Sequence, residues 1–179
     1  YNAQAAVDSA HQIIVAAEIT TQPNDKEQAV PMAHAVEAAT GARPREISAD
    51  AGYFSTRAVQ ELVALGIEPF MPPERIRRRA QGPPAPRGRI PQGLSVIERM
   101  RRKLRTQHGR RRYALRMKTV EPVFGQIKHG RGFRQFLLRG VPKVRAEWKL
   151  ICTGHNLLKL YGAWTPWGAG RAAWTPRIA

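Results

Sequence analysis

The order of apolar and polar positions divides the chain into short elements. The opening stretch YNAQAAVDSAHQIIVAAEIT has two apolar runs, Ala3 to Val7 and Ile13 to Ile19, around the polar residues Asp8 to Gln12. Two strand-like runs around a short polar connection predict a β-hairpin. Asn24 or Asp25 can cap a following helix through Met32, Ala35, Val36 and Ala39, which Pro31 kinks early or delays and Gly41 ends. Asp25 reads as a helix cap rather than a metal ligand. Glu46 to Ala49 forms a short strand that ends in Asp50 and breaks at Ala51-Gly52. Ser55 then caps a helix with Val59, Leu62 and Val63 inward, Gly66 ends it, and Ile67 to Met71 is another strand. Strand, turn, helix, strand is the crossover of a parallel pair, and ligand-binding side chains in such sheets gather at the carboxyl ends of strands, where Asp50 falls. The competing role for Asp50 is a turn-forming aspartate before a glycine.

Further on, Ile97, Met100 and Leu104 mark a partly helical segment that Gly109 interrupts. In Tyr113 to Lys128, Val120, Val123, Phe124 and Ile127 have the spacing of one buried helical face. Lys118, Glu121 and Lys128 would share a second face if that helix were continuous. Pro122 lacks the donor for the carbonyl four residues back, so the helix is expected to kink at Glu121 or start afresh there. Phe133 and Phe136, set among arginines, can stack on splayed bases, but packing against the preceding helix is their expected role. A last amphipathic helix places Val144, Trp148, Ile151, Leu158 and Tyr161 inward. Cys152 and His155 have the spacing of half a zinc site without another half, and read as core or groove residues. The tail from residue 163 has no periodicity and is expected to be disordered.

Charge changes this picture more than composition does. The 179 residues are 42% hydrophobic, enough for one sizeable core, and carry a net charge of +17. Residues 1 to 73 hold 4 basic and 9 acidic groups (4 − 9 = −5), so residues 74 to 179 hold the remaining 26 basic and 4 acidic ones (26 − 4 = +22). Such a back half condenses on a polyanion, and nucleic acid is the usual one. Residues 74 to 118 alone carry 16 basic groups against 2 acidic. They are rich in Arg, Pro and Gly at first, and their guanidinium forks suit phosphate oxygens. The single cysteine excludes an internal disulfide framework and a cysteine-based zinc site. No run approaches a membrane span and no leader pattern is visible, so a cytoplasmic protein is expected. The first strand begins at Tyr1, which is not a start methionine, so a fragment or processed segment is expected.

ADAGYF, a basic insertion, and then Tyr113, Arg116, Glu121 and Lys128 together resemble the DDE transposases of bacterial insertion sequences, as do YNAQAAVD, TVEPVFGQIKHGRGFR and GHNLLKLY. The likeness covers nearly everything from Tyr1 to Tyr161. It implies an α/β, RNase H-like mixed sheet with flanking helices, N-terminally truncated, with a basic insertion before the glutamate-bearing helix. The implied organisation is a sheet-and-helix part at 1–73, the insertion at 74–112, the glutamate-bearing and C-terminal helical part at 113–162, and the tail at 163–179. Asp50 matches the family's second aspartate and Glu121 its glutamate, both as catalytic ligands of Mg2+ or Mn2+. Nothing matches the first aspartate, which belongs on a strand before Tyr1; Asp8 is only a fallback. Tyr53, Tyr113, Arg116, Lys118 and Lys128 are the implied DNA-binding residues, although four residues separate Arg116 from Glu121 where many relatives have three. The implied partners are double-stranded DNA at transposon ends and target, and a second subunit. The implied activity is strand cleavage and transfer, close to the bacterial nucleoid. The alternatives are a non-enzymatic DNA-binding remnant and a ribosome-associated basic protein that prefers RNA.

Overall fold

The computed structural model describes residues 1–75 and 84–164. The described chain is mixed α/β, with four strands and five α-helices, and divides into two compact units, each with its own apolar core. Residues 76–83 of the expected basic insertion and residues 165–179 of the expected tail lie outside the described residues, while Ala163 and Trp164, expected in the tail, end the last helix.

One unit comprises Tyr1–Pro23, Ala35–Ala42 and the chain from Met117 onwards. Its strands β1 (Asn2–Val7) and β2 (Ile14–Thr20) pair antiparallel, Asn2 opposite Thr20, as the hairpin predicted from the apolar runs. The connection is shaped by Asp8, whose Oδ2 accepts the N–H groups of Ala10 and His11 at 3.1 and 2.6 Å. The Asp8 N–H donates to the Ile13 carbonyl at 2.8 Å and the Gln12 N–H to the Asp8 carbonyl at 3.1 Å, closing the turn. Gln12 consequently sits at φ 60°, the left-handed region that residues with a Cβ seldom occupy.

Helix α5 (Val141–Trp164) buries Val144, Trp148, Ile151 and Cys152 in one cluster with Ile14, Ile19, Val123 and Ile127. The Trp148 indole N–H donates to the Gln4 carbonyl at 2.9 Å, and its ring stacks on Phe124 with centroids 5.9 Å apart. Leu158 and Tyr161 do not point inward; they are 56% and 69% exposed. The turn after β1 meets α5 at His155, Asn156 and Lys159; Leu158 falls on another face of that stretch, and Tyr161 lies beyond it.

The other unit holds Asn24–His34 and Arg43–Arg116. Helix α1 (Ala29–Thr40), which contributes residues to both units, starts beyond the reach of an Asn24 or Asp25 cap. It buries Ala29, Met32 and Ala33, while Ala39 is exposed. Its alanines lie on every face, so their spacing could not single out the buried one. Strands β3 (Glu46–Ser48) and β4 (Glu68–Phe70) are parallel, as the crossover pattern predicts, with Glu46 opposite Glu68. The crossover helix α2 (Thr56–Ala64) is capped by Ser55, whose Oγ accepts the Ala58 N–H at 3.0 Å. Ala58, Val59 and Leu62 are buried, whereas Val63, about 100° round the helix from Leu62, is exposed.

Ser95 and Glu98 form a reciprocal capping box at the start of α3 (Val96–Arg105), which buries Met100 and Leu104 and leaves Ile97 partly exposed. Thr106 makes the corner to α4 (Gln107–Gly125). Its hydroxyl donates to the Lys103 carbonyl at 2.7 Å and accepts the Gly109 N–H at 3.0 Å. Gly109 thus lies inside α4 and does not interrupt it; a Cβ there would collide with the Lys103 carbonyl oxygen. Nor does Pro122 restart the helix. It lies inside α4, which continues to Gly125 and passes into a π-helical turn, Gln126–Gly130. That wider turn breaks the spacing that would align Lys128 with Lys118 and Glu121.

Replacing a helical glycine by alanine ordinarily gains up to about 1 kcal/mol. At this corner Gly109→Ala is expected instead to destabilise the protein by about 1–3 kcal/mol through overpacking, read from the urea midpoint. A raised midpoint would refute the close approach at Lys103.

Candidate functional site

Asp50 combines the two roles that its sequence context allows. It stands just past the carboxyl end of β3 and also caps a single 3-10 turn, Ala51–Tyr53, its Oδ1 accepting the Gly52 N–H at 2.8 Å. Its Oδ2 lies 3.8 Å from Nη1 of Arg116, and the side chain is 49% exposed. A Cβ at Gly52 would lie 3.0 Å from Asp50 Oδ1 and 3.4 Å from Asp25 Oδ2, so both carboxylates approach one bare backbone position. Beside them Tyr53 is half-buried. Burial first, then the negative charges of Asp25 and Asp50, raise its phenol pKa well above the ordinary value, so the hydroxyl stays protonated at neutral pH. Tyr113 packs against the same core, with the Arg116 guanidinium 5.5 Å from its ring centre. One unit therefore brings together Asp50, Tyr53, Tyr113 and Arg116, and adds Asp25.

Glu121, Lys118 and Lys128 belong to the other unit, and all three are exposed. Lys128 Nζ lies 5.5 Å from the Phe124 ring centre, on the wall of an open cleft of about 570 Å³. Phe133 and Arg134 also line this cleft, Phe133 being 43% exposed. Phe136 packs edge-on against Trp148 and Tyr1, at 6.2 and 6.4 Å, and so rests on α5 and on the residue before β1 rather than only on the preceding helix. The left-handed turn at Gly132, φ 76°, reverses the chain before these aromatic residues. The fallback Asp8 is engaged in the hairpin turn, 3.4 Å from the His11 ring as well as bonded to the main chain.

Cys152 and His155 are buried in the core of the Glu121-bearing unit. Burial pushes the Cys152 thiol up to about 12. The His155 Nε2 lies 3.0 Å from the Gln12 carbonyl, which can only accept, so the ring proton sits on Nε2. Nδ1 is buried without a hydrogen-bond partner. Burial, reinforced by the positive charges of Arg131 and Lys159, lowers the pKa below the ordinary 6.5 and outweighs the bond to Gln12, so the imidazole is neutral.

Among the described residues, Glu46, Glu68 and His108 form a cluster whose ligand atoms lie within 4.8 Å of one another. Each carboxylate already faces a cation, Glu46 with Arg112 at 3.0 Å and Glu68 with Lys103 at 2.7 Å. Sequence reasoning missed this cluster, which the parallel register of β3 and β4 creates. It also missed Gln12, whose side-chain N–H donates to the Lys118 carbonyl at 2.6 Å. The signal was available at Pro122, because a proline inside a helix leaves the carbonyl four residues back in need of another donor.

Residues 90–161 match the family model of the transposase DDE domain. No curated protein and no solved structure matches the chain. The matched stretch covers α3, α4 and most of α5 with Tyr113, Arg116, Lys118, Glu121 and Lys128, and over those residues the chain is similar to the transposase DDE domain.

Because the folded His155 binds its proton less readily than the unfolded chain does, its contribution to stability is present above pH 6.5 and is lost as the pH falls below that value. In His155→Gln, whose amide can still donate to the Gln12 carbonyl, the decline in urea stability from pH 6.5 to about 5 is expected to be shallower. An unchanged decline would mean that other groups carry it.

Proposed function

We propose that this chain is part of the catalytic domain of an insertion-sequence transposase, an RNase H-like core that performs metal-dependent DNA strand cleavage and strand transfer, with Asp50 and Glu121 as two of its three carboxylate ligands and the first aspartate on a strand outside this chain. The observation that carries the reading is the transposase DDE match over residues 90–161, with Glu121 exposed inside it. Asp50 lies outside that match and is supported by its place at the carboxyl end of a parallel strand and by its half-exposed carboxylate.

The donor chemistry fits a hard divalent cation such as Mg2+ or Mn2+, which prefers carboxylate oxygens and water. When bound, such ions supply charge neutralisation on the attacking and leaving oxygens of an in-line phosphoryl displacement and lower the pKa of a bound water. The protein's own part is positional. The Gly52 N–H fixes one Asp50 oxygen at 2.8 Å, and Arg116 stands 3.8 Å from the other. Tyr53, held protonated, can donate a hydrogen bond but does not act as a base at neutral pH. With Tyr113, Lys118 and Lys128, Arg116 and Tyr53 are the proposed DNA contacts. The 26 basic groups of residues 74–179 supply the counter-charge that brings two duplexes together. Transposon-end and target DNA are the proposed substrates, and a homodimer the proposed active form.

Nicking of supercoiled plasmid in Mg2+ or Mn2+ tests this. Asp50→Ala and Glu121→Ala are each expected to lower the rate roughly a hundredfold or more, and metal chelation to abolish it. Cleavage indifferent to both substitutions would sink the assignment, and salt-sensitive DNA binding without any cleavage would leave a binding protein. If six phosphates are contacted, affinity for duplex DNA should fall about a thousandfold between 50 and 200 mM salt. A flat salt dependence, or a preference for RNA, counts against the basic half as a DNA surface.

A further inference from the structure

We propose that Gln12 is a positioning residue for Glu121, its side-chain N–H replacing the backbone donor that Pro122 lacks and holding the helical turn from Lys118 to Pro122 that presents the carboxylate. This rests on Glu121 being a metal ligand, as proposed above.

In an α-helix the Lys118 carbonyl would accept from the N–H of residue 122, and proline has none. Gln12 Nε2 fills that place at 2.6 Å from the Lys118 oxygen, bridging 106 residues of sequence. Water could satisfy an exposed carbonyl, so satisfaction alone does not explain the arrangement. What does is that every hydrogen-bonding group of Gln12 is committed. Its main-chain N–H donates to the Asp8 carbonyl at 3.1 Å, and its main-chain carbonyl accepts from His155 Nε2 at 3.0 Å. Its Oε1 accepts from the Lys159 ammonium at 2.6 Å. An ammonium only donates and a carbonyl only accepts, so the amide can point in one sense alone, Oε1 to Lys159 and Nε2 to Lys118. Asn156 secures the first residue of β2, exchanging bonds of 2.9 and 2.8 Å with the main chain of Ile14.

The backbone at Gln12 bears the cost of this placement, lying at φ 60° where a glycine would be comfortable. A glycine could not reach Lys118. The strained turn, the α5 residues His155 and Lys159 and the proline-broken ladder thus converge on one side-chain amide, one turn before Glu121.

A double-mutant cycle on the full chain tests the coupling, with wild type, Gln12→Ala, Pro122→Ala and the double variant compared by amide hydrogen exchange over residues 119–125 and by Mn2+ affinity in solution. Gln12→Ala is expected to speed exchange there about tenfold and to weaken Mn2+ binding by a similar factor. In the Pro122→Ala background, where the backbone N–H is restored, the same change is expected to do little to either. If the alanine variant fails to fold, Gln12→Glu keeps the length and the Lys159 pairing but has no donor for Lys118 when ionised, and should give the same accelerated exchange. Equal effects in both backgrounds, or no local acceleration, overturn the inference. A coupled exchange effect with Mn2+ affinity unmoved by Glu121→Ala instead rejects Glu121 as a ligand, and with it the positioning role, so the two failures are told apart.

Discussion

The helical turn before Glu121 lacks one backbone donor, and the way this gap is filled shapes the unit around it. A proline in the middle of a helix removes one rung of the ladder and crowds the carbonyl four residues back, at a cost of about 3 kcal/mol in an isolated helix. Here the Lys118 carbonyl is taken up by Gln12, so α4 passes through Pro122 to Gly125. The same glutamine is gripped by His155 and Lys159 of α5. Hairpin turn, glutamate-bearing helix and C-terminal helix are therefore linked through polar groups as well as through the cluster around Trp148, Val123 and Ile127.

Asp50 is held by different physics. Its turn is local, closed within the Ala51–Tyr53 segment, and needs no partner distant in sequence to form. Distant residues set its electrostatic surroundings: Asp25 and Arg116 bring opposite charges toward it, and Tyr53 is kept protonated between two carboxylates. The Asp50 carboxylate is half-exposed, as the proposed role of cation ligand requires. The other acidic cluster, Glu46 with Glu68, differs in that each carboxylate already has its own cation on a neighbouring helix.

The elements with a clean period were legible in the sequence. The β1–β2 hairpin, the β3–α2–β4 crossover with its Ser55 cap and Gly66 stop, and the buried face of Val123 and Ile127 all stand where the apolar spacing puts them. Misassignments fall where an apolar stripe is wider than the surface available to cover it. Val63, Ile97, Leu158 and Tyr161 fit their helical repeats yet are exposed, because a repeat gives the face that can pack and not the width of surface that covers it. Glycine and proline misled for a related reason. Each was read by its intrinsic preference, as an interruption at Gly109 and a kink or fresh start at Glu121, but α4 is continuous through both, with close approach to Lys103 at the one and the donor from Gln12 at the other.

By itself the sequence determined the character of this protein: a mixed α/β chain with an acidic front and a basic back, an aspartate at the end of a parallel strand, and a glutamate in the helix that follows the basic segment. These are properties of neighbouring residues, and local periodicity and charge suffice to show them. The tertiary structure alone decided which distant groups meet, Asp25 approaching Gly52 beside Asp50, Arg116 facing Asp50, and Gln12 reaching Lys118. A hydrogen bond spanning 106 residues depends on where two elements come to rest, and hydrophobic pattern specifies the faces that pack but not the polar atoms that then fall within 3 Å of one another.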